Sequence, residues 1–321
     1  MAATARGFLS KLRMGFETEY GKIPLSPKTY DLPFNSFGIS LTQALNTAQT
    51  MRGTRNPMEP FAGNKDVSGD LVLPLDVICI GYAFRGLFGL PTTTAGSTGD
   101  PNTHVFKIQN QTQSMWFETD FSINPTSYVQ TTGVKFGSFS IDTGGDGELT
   151  CSFTAMGKDQ ATSAASKAGS PVSPDFLRLN NSMGKLLLDD VECGIATAFG
   201  IKLDNGLDGD AYGLGGGGTR LEIGEGIAAV NGTISVLFRD MDLVNAALNG
   251  TKKKAQVVFE RTEGSVSFDV QEMLLEPKTP AITTPSMIRL EMNWQGFHDS
   301  GALGSALAVT LTNTHTSYAD A

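Results

Sequence analysis

FGIKLDNG at residues 199–206 rewrites FGISLTQA at residues 37–44, with a spacing of 199 − 37 = 162. In the later copy Phe199, Ile201 and Leu203 alternate with Lys202 and Asp204, the period of two expected of a half-buried strand. Further along, VSGDLVLPL (67–75) is answered by VNGTISVLF (230–238), where 230 − 67 = 163. The register barely moves. Each of these strands runs into an Asp suited to cap a helix, Asp76 and Asp240, and the helical stretches close on Gly89 and Gly250. We expect both helices on the outer side of the sheet, with Phe84, Leu87, Leu243 and Leu248 turned to it.

SMWFETDF (114–121) then answers AQVVFERTE (255–263), but 259 − 117 = 142, so the first copy carries an insert over 90–113. That insert is turn-rich and holds one short strand around Val105 to Ile108. The last shared strand is LTCSFTAMG (149–157) against IRLEMNWQG (288–296). In the second, Ile288, Leu290, Met292 and Trp294 belong to a core face, while Arg289, Glu291, Asn293 and Gln295 meet water. The order predicts a mainly β (β-rich α+β) chain of two tandem domains, 31–157 and 176–321, each with one short helix. An N-terminal arm (1–30) precedes them, a linker (158–175) joins them, and the alternation of SALAVTLTNT (305–314) adds a final strand.

With 321 residues, 40% hydrophobic and 18% charged, the chain has enough apolar surface for two such units. Its net charge, 24 − 33 = −9, disfavours a surface that grips nucleic-acid backbones and does not exclude an acidic wall that lets DNA pass. Cys79, Cys151 and Cys193 are far apart without a CxxC, which predicts reduced, buried thiols in a chain assembled in cytoplasm. No apolar run has the length of a signal peptide core or a membrane span.

The motifs that would carry chemistry fail on context. Gly213, Gly215 and Gly218 spell GxGxxG without a strand before or a helix after, and DNGLDGD (204–210) has Gly215 where a calcium loop needs its last carboxylate. His104, His298 and His315 are scattered, with no nucleophile at a recognisable spacing. We expect no enzyme, no cofactor and no metal.

The runs LPFNSFGISL (32–41) and TMRGTRNPMEPFAGNKDVSGDLVLPLD (50–76), preceded by GFETEYGKIP (15–24), resemble the N-terminal signature of tail tube proteins from long-tailed bacteriophages. FGIKLDN (199–205) and GTRLEIGEGIAAVNGTISVLF (218–238) resemble that family's second pattern, so the likeness spans most of the chain. It implies tail-tube-like β-sandwich domains, similar to the type VI secretion tube subunit, whose sheets join laterally into a ring-shaped barrel around a lumen. A duplicated chain then needs three copies for a pseudo-sixfold ring. The partners implied are the protein itself, tape measure, tail terminator and distal tail proteins, and phage DNA passing without specific binding; no membrane is involved. A distal tail or hub ring, or a two-domain β-sandwich binding protein, is the alternative.

On this reading the polar strand faces line the lumen: Ser68, Asp70, Glu148, Thr150 and Ser152 in one half, Asn231, Thr233, Ser235, Arg289, Glu291 and Asn293 in the other. The family's inter-ring loop falls at 42–66 and 204–229. The first carries Arg52, Arg55 and Lys65 against Glu59 and Asp66, +3 − 2 = +1. The second carries Arg220 against Asp204, Asp208, Asp210, Glu222 and Glu225, +1 − 5 = −4. Such loops would set angular register by charge. The basic stretch 1–20 is expected to dock only on assembly.

Overall fold

The structure, a computed structural model, describes residues 4–123, 127–282, 285–298, 301 and 303–319. It is mainly β, with 47% of residues in strands and 7% in helix. The first half contains β1 (Lys11–Phe16), β2 (Thr29–Leu32), β3 (Ser36–Phe37), β4 (Ser40–Asn46), β5 (Phe61–Pro74), α1 (Ile80–Phe88), β6 (Thr92–Thr94), β7 (Asn102–Lys107), β8 (Met115–Asp120), β9 (Tyr128–Thr143), β10 (Thr150–Gly157) and β11 (Asp159–Ser163). The second contains β12 (Gly184–Leu188), β13 (Val191–Glu192), β14 (Ala196–Asp204), β15 (Ala229–Leu237), α2 (Asp242–Leu248), β16 (Lys253–Arg261), β17 (Gly264–Leu275), β18 (Arg289–Gly296) and β19 (Ala308–Asn313).

The two written copies fold in the same register. Phe37 stands opposite Leu71 and Leu41 opposite Val67, as Phe199 stands opposite Ile234 and Leu203 opposite Val230. On the next strand Phe153 faces Leu71 and Gly157 faces Val67, matched by Met292 facing Ile234 and Gly296 facing Val230. The backbones approach equally closely in both halves: a Cβ on Gly69 would overlap the Gly38 carbonyl, and one on Gly232 the Gly200 carbonyl. Only glycine fits there.

The likeness runs further than the written repeat. β1 pairs with β8 as β12 pairs with β16, β9 with β10 as β17 with β18, and β11 with β9 as β19 with β17. The stretch expected as an arm is therefore a strand from Lys11 on, with Leu12, Met14 and Phe16 buried and Arg13 bonded to Glu118 at 3.0 Å. It is docked in the lone chain. Much of the segment expected as a linker is likewise docked on the first half, through β11, the buried Ala168 and Val172 beside Tyr30.

Two seams make the halves one sheet. The C-terminal part of β9 pairs with β14, Phe139 opposite Leu203 and Ile141 opposite Ile201, and β7 of the insert pairs with β19, Phe106 opposite Val309. α1 lies inside this construction. The ring of Phe84 sits 5.6 Å from Phe139, 6.3 Å from Phe153, 6.0 Å from Phe106 and 6.0 Å from Phe268, centre to centre.

All nine residues of α1 are buried, so the expectation of a helix on the outside is corrected for this copy. The insert strand β7 and the second half's β17 cover the face that would have been outside. Asp76 caps the helix as expected, accepting the N–H groups of Ile78, Cys79 and Ile80 at 2.9, 2.6 and 2.8 Å. Burial pushes its carboxyl up to about 6 despite those three donors. α2 buries only Val244, Ala246 and Ala247, and Leu248, expected to face the sheet, is 62% exposed. No helix is long and apolar enough to cross a membrane among the described residues.

Candidate lumen face and assembly edges

Strand alternation places apolar residues on one side of the joined sheet and leaves a polar face on the other. Register shows which side chains share it, because directly opposed residues of antiparallel strands point the same way. One row runs Ser152, Ser140, Lys202, Asn231, Gln295 across β10, β9, β14, β15 and β18. A second runs Asp142, Gly200, Thr233, Asn293. A third runs Asp70, Thr154, Ser138, Asp204, with the Ser138 and Thr154 hydroxyls 2.8 Å apart.

Ten of the eleven residues expected on this face fall on it by alternation: Ser68, Asp70, Thr150, Ser152, Asn231, Thr233, Ser235, Arg289, Glu291 and Asn293. Glu148 stands apart. It precedes β10, where its carboxylate pairs with Arg178 at 3.0 Å and accepts from the Asn35 amide at 2.6 Å. Sequence reasoning missed the contribution of β9 and β14, namely Ser138, Ser140, Asp142 and Lys202. The alternation of GSFSIDT (137–143) carried the signal.

The exposed charges of the face are Asp70, Asp142, Glu276 and Glu291 against Lys202 and Arg289, +2 − 4 = −2. The face is hollowed between β15 and β18 into a groove of about 600 Å³, lined by Asn231, Thr233, Asn293, Gln295 and Glu276. At its rim Glu276 accepts from the Asn293 amide at 2.9 Å.

The two loops expected between rings differ in state. β4 and β5 extend as a hairpin whose end is exposed, including Arg52 and Arg55, with Leu45, Met51 and Phe61 at 72%, 97% and 57% exposure. Lys65, at its base, is tied to Asp159 at 2.8 Å.

The other loop, 205–228, lies back against its own chain. Arg220 is buried and donates to the carbonyls of Gly209, Val67 and Gly157 at 2.7, 3.1 and 2.9 Å, and to the Asp66 carboxylate. The Gly218 carbonyl accepts from the Lys65 N–H at 2.8 Å. Glu225 accepts from the Lys135 ammonium at 2.8 Å and from the Thr112 N–H and hydroxyl. Burial opposes ionisation of Glu225, but the Lys135 ammonium and the Thr112 donors outweigh it and hold the carboxyl below its usual range. Asp204 ends β14 and accepts from the Gly206 N–H, whereas Asp208, Asp210 and Glu222 remain exposed. The GxGxxG lies in this loop, with no helix behind it.

The family model of the phage tail tube protein matches residues 7–296. The chain belongs to that family. As a tail tube protein it is a structural component of the virion. None of the curated proteins matches the chain.

Proposed function

We propose that this tail tube protein assembles as a homotrimeric ring in which each chain supplies two neighbouring sectors, and that rings stack head to tail into the tube of a long-tailed phage. The supporting observation is the shared register of the two halves, down to the paired glycine contacts Gly38 with Gly69 and Gly200 with Gly232. Two equivalent sectors in one chain halve the number of chains that a sixfold ring needs. A stacking contact that does not close on itself propagates along the axis.

In this reading the polar face lines the lumen and the genome passes it on the way into the bacterial host. A neutral or negative wall leaves DNA hydrated, whereas a lysine-rich one would hold phosphates by counterion release, repeated along the whole tube. The role is structural rather than catalytic. The tape measure, tail terminator and distal tail proteins are its partners at the core and ends of the tube, and assembly takes place in the host cytoplasm. Of the residues first expected between rings, the exposed Arg52 and Arg55 on the hairpin, and Asp208, Asp210 and Glu222 on the folded loop, are free to act there.

Electron microscopy of the purified protein at high concentration tests the reading. Stacked tubes are the expected result. Single closed rings would point instead to a distal tail or hub protein, and dispersed monomers would overturn assembly altogether.

A further inference from the structure

The seam between the two halves is a completed contact between neighbouring sectors, and the lone chain carries each side of it once more, unfinished. On one side, residues 138–143 of β9 pair with residues 199–204 of β14. The counterpart of 199–204 is 37–42, in β3, β4 and the residues between, and among the described residues of the lone chain that stretch forms strand pairs with β5 alone.

The counterpart of 138–143 follows β17. The Glu276 N–H donates to the Asn293 carbonyl at 2.9 Å, and Asn293 corresponds to Thr154, which faces Ser138. Glu276 therefore corresponds to Ser138. The spacing is 276 − 138 = 138 here and 293 − 154 = 139 on the neighbouring strand, because β9 carries an extra residue at the bulge opposite Thr154 and Ala155.

The two strands differ where the seam lies. β9 runs on through Thr143, whereas β17 stops at Leu275, so residues 276–281 remain outside any strand. Ile282 beyond them is 82% exposed. The helices repeat the difference. Leu87 and Leu248 each stand two residues before the closing glycine; Leu87, beneath the second half, is 1% exposed and Leu248 is 62% exposed. What covers α1 of the first half is the second half, and among the described residues of the lone chain none covers Leu248 of α2 in the same way.

We propose that the chain-to-chain contact of the ring copies the seam within the chain. Residues 276–281 of one copy become a strand against residues 37–42 of the next, and the first half of that next copy covers Leu248. This rests on the ring reading and adds its contact and register. Transposing the pairs of β9 and β14 places Thr279 opposite Ile39, Ala281 opposite Phe37 and Lys278 opposite Ser40. Pro277 falls opposite Leu41, whose N–H is held by the Gln160 side chain at 3.3 Å, so the ladder runs through Phe37 and Ile39. Prolines at 277 and 280 also keep a lone edge from pairing at random.

Cysteine pairs test this directly, because Ser140 and Lys202 are already opposed within the chain and their counterparts Lys278 and Ser40 are both exposed. In a Cys193→Ser background, Ser140→Cys with Lys202→Cys is expected to close within one chain. Ser40→Cys with Lys278→Cys is expected to give only chain-to-chain bonds, ending at a closed trimer on a denaturing gel. Rings that form without this cross-link, while the internal pair closes, would overturn the register and leave the proposed function standing. Absence of rings by sedimentation and microscopy, for the cysteine pair and the unsubstituted protein alike, would overturn both.

Discussion

The hairpin end at 47–60 and the loop at 205–228 occupy matching places between matching strands, yet one extends into solvent and the other lies along its own chain. The strands flanking them are in the same register, so the difference does not come from the hairpins. It comes from what precedes each half. The second loop has the first half beside it, and Arg220 and Glu225 find their partners there, in the carbonyls of Val67 and Gly157 and in Lys135. The first loop has no half before it within the chain. α1 and α2 teach the same lesson from the other side, since α1 has a following half to cover it and α2 has none. A sector's surface state is thus set by its neighbour as much as by its own residues.

Matched substitutions in the two halves sharpen this contrast. The largest effect is expected at α1. Phe84→Asp places an unpaired charge among Phe139, Phe153, Phe106 and Phe268, and the variant is expected not to fold. Leu248→Asp on α2 is expected to give a soluble chain with nearly unchanged Tm that fails to form rings. Circular dichroism and sedimentation separate the two, and a Phe84→Asp protein that melts like the parent would break the contrast.

Arg220→Ala comes next. It leaves three strand and loop carbonyls without the guanidinium that bridges them, while the half-exposed Asp66 keeps the Ser68 hydroxyl, and a loss of about 2–3 kcal/mol in denaturant unfolding is expected from the unsatisfied acceptors. Arg55→Ala on the exposed hairpin is expected to stay within about 0.5 kcal/mol of the parent. Equal losses at the two positions would mean that both loops are docked.

Smaller still, Gly69→Ala and Gly232→Ala each force a Cβ into the facing carbonyl, at a cost of roughly 1–3 kcal/mol. Here the halves are expected to agree. A cost at one glycine and none at the other would weaken the duplication. The triple change Asp70→Lys, Thr233→Lys and Glu291→Lys alters exposed or half-buried residues of the polar face, so tubes should still assemble. Genome delivery is expected to slow, most at low salt. Infection at the parental rate at every ionic strength would remove this face from the lumen.

Much of this architecture was legible in the residues. The FGI strands, the capping Asp76 and the insert carrying β7 stand where the repeat puts them, and Leu290, Met292 and Trp294 are buried in alternation. β9 was not legible, for a physical reason. Its core side chains are Val134 and Phe136 before the bulge and Phe139 and Ile141 after it, so the period of two slips by one within the strand. β1 read as a basic arm because Lys11 and Arg13 drew attention from Leu12, Met14 and Phe16. Arg220 read as a loop charge because its partners lie far away in sequence and are backbone carbonyls, which carry no residue signature. The polar face was legible by alternation strand by strand, but its continuity across both halves depends on β9 meeting β14, a pairing between distant segments.

The number of chains in a ring bears most directly on the account. Symmetry analysis of ring images, together with the mass of a single ring, is expected to give three copies with threefold symmetry and six similar sectors. Six complete chains related by true sixfold symmetry would contradict it.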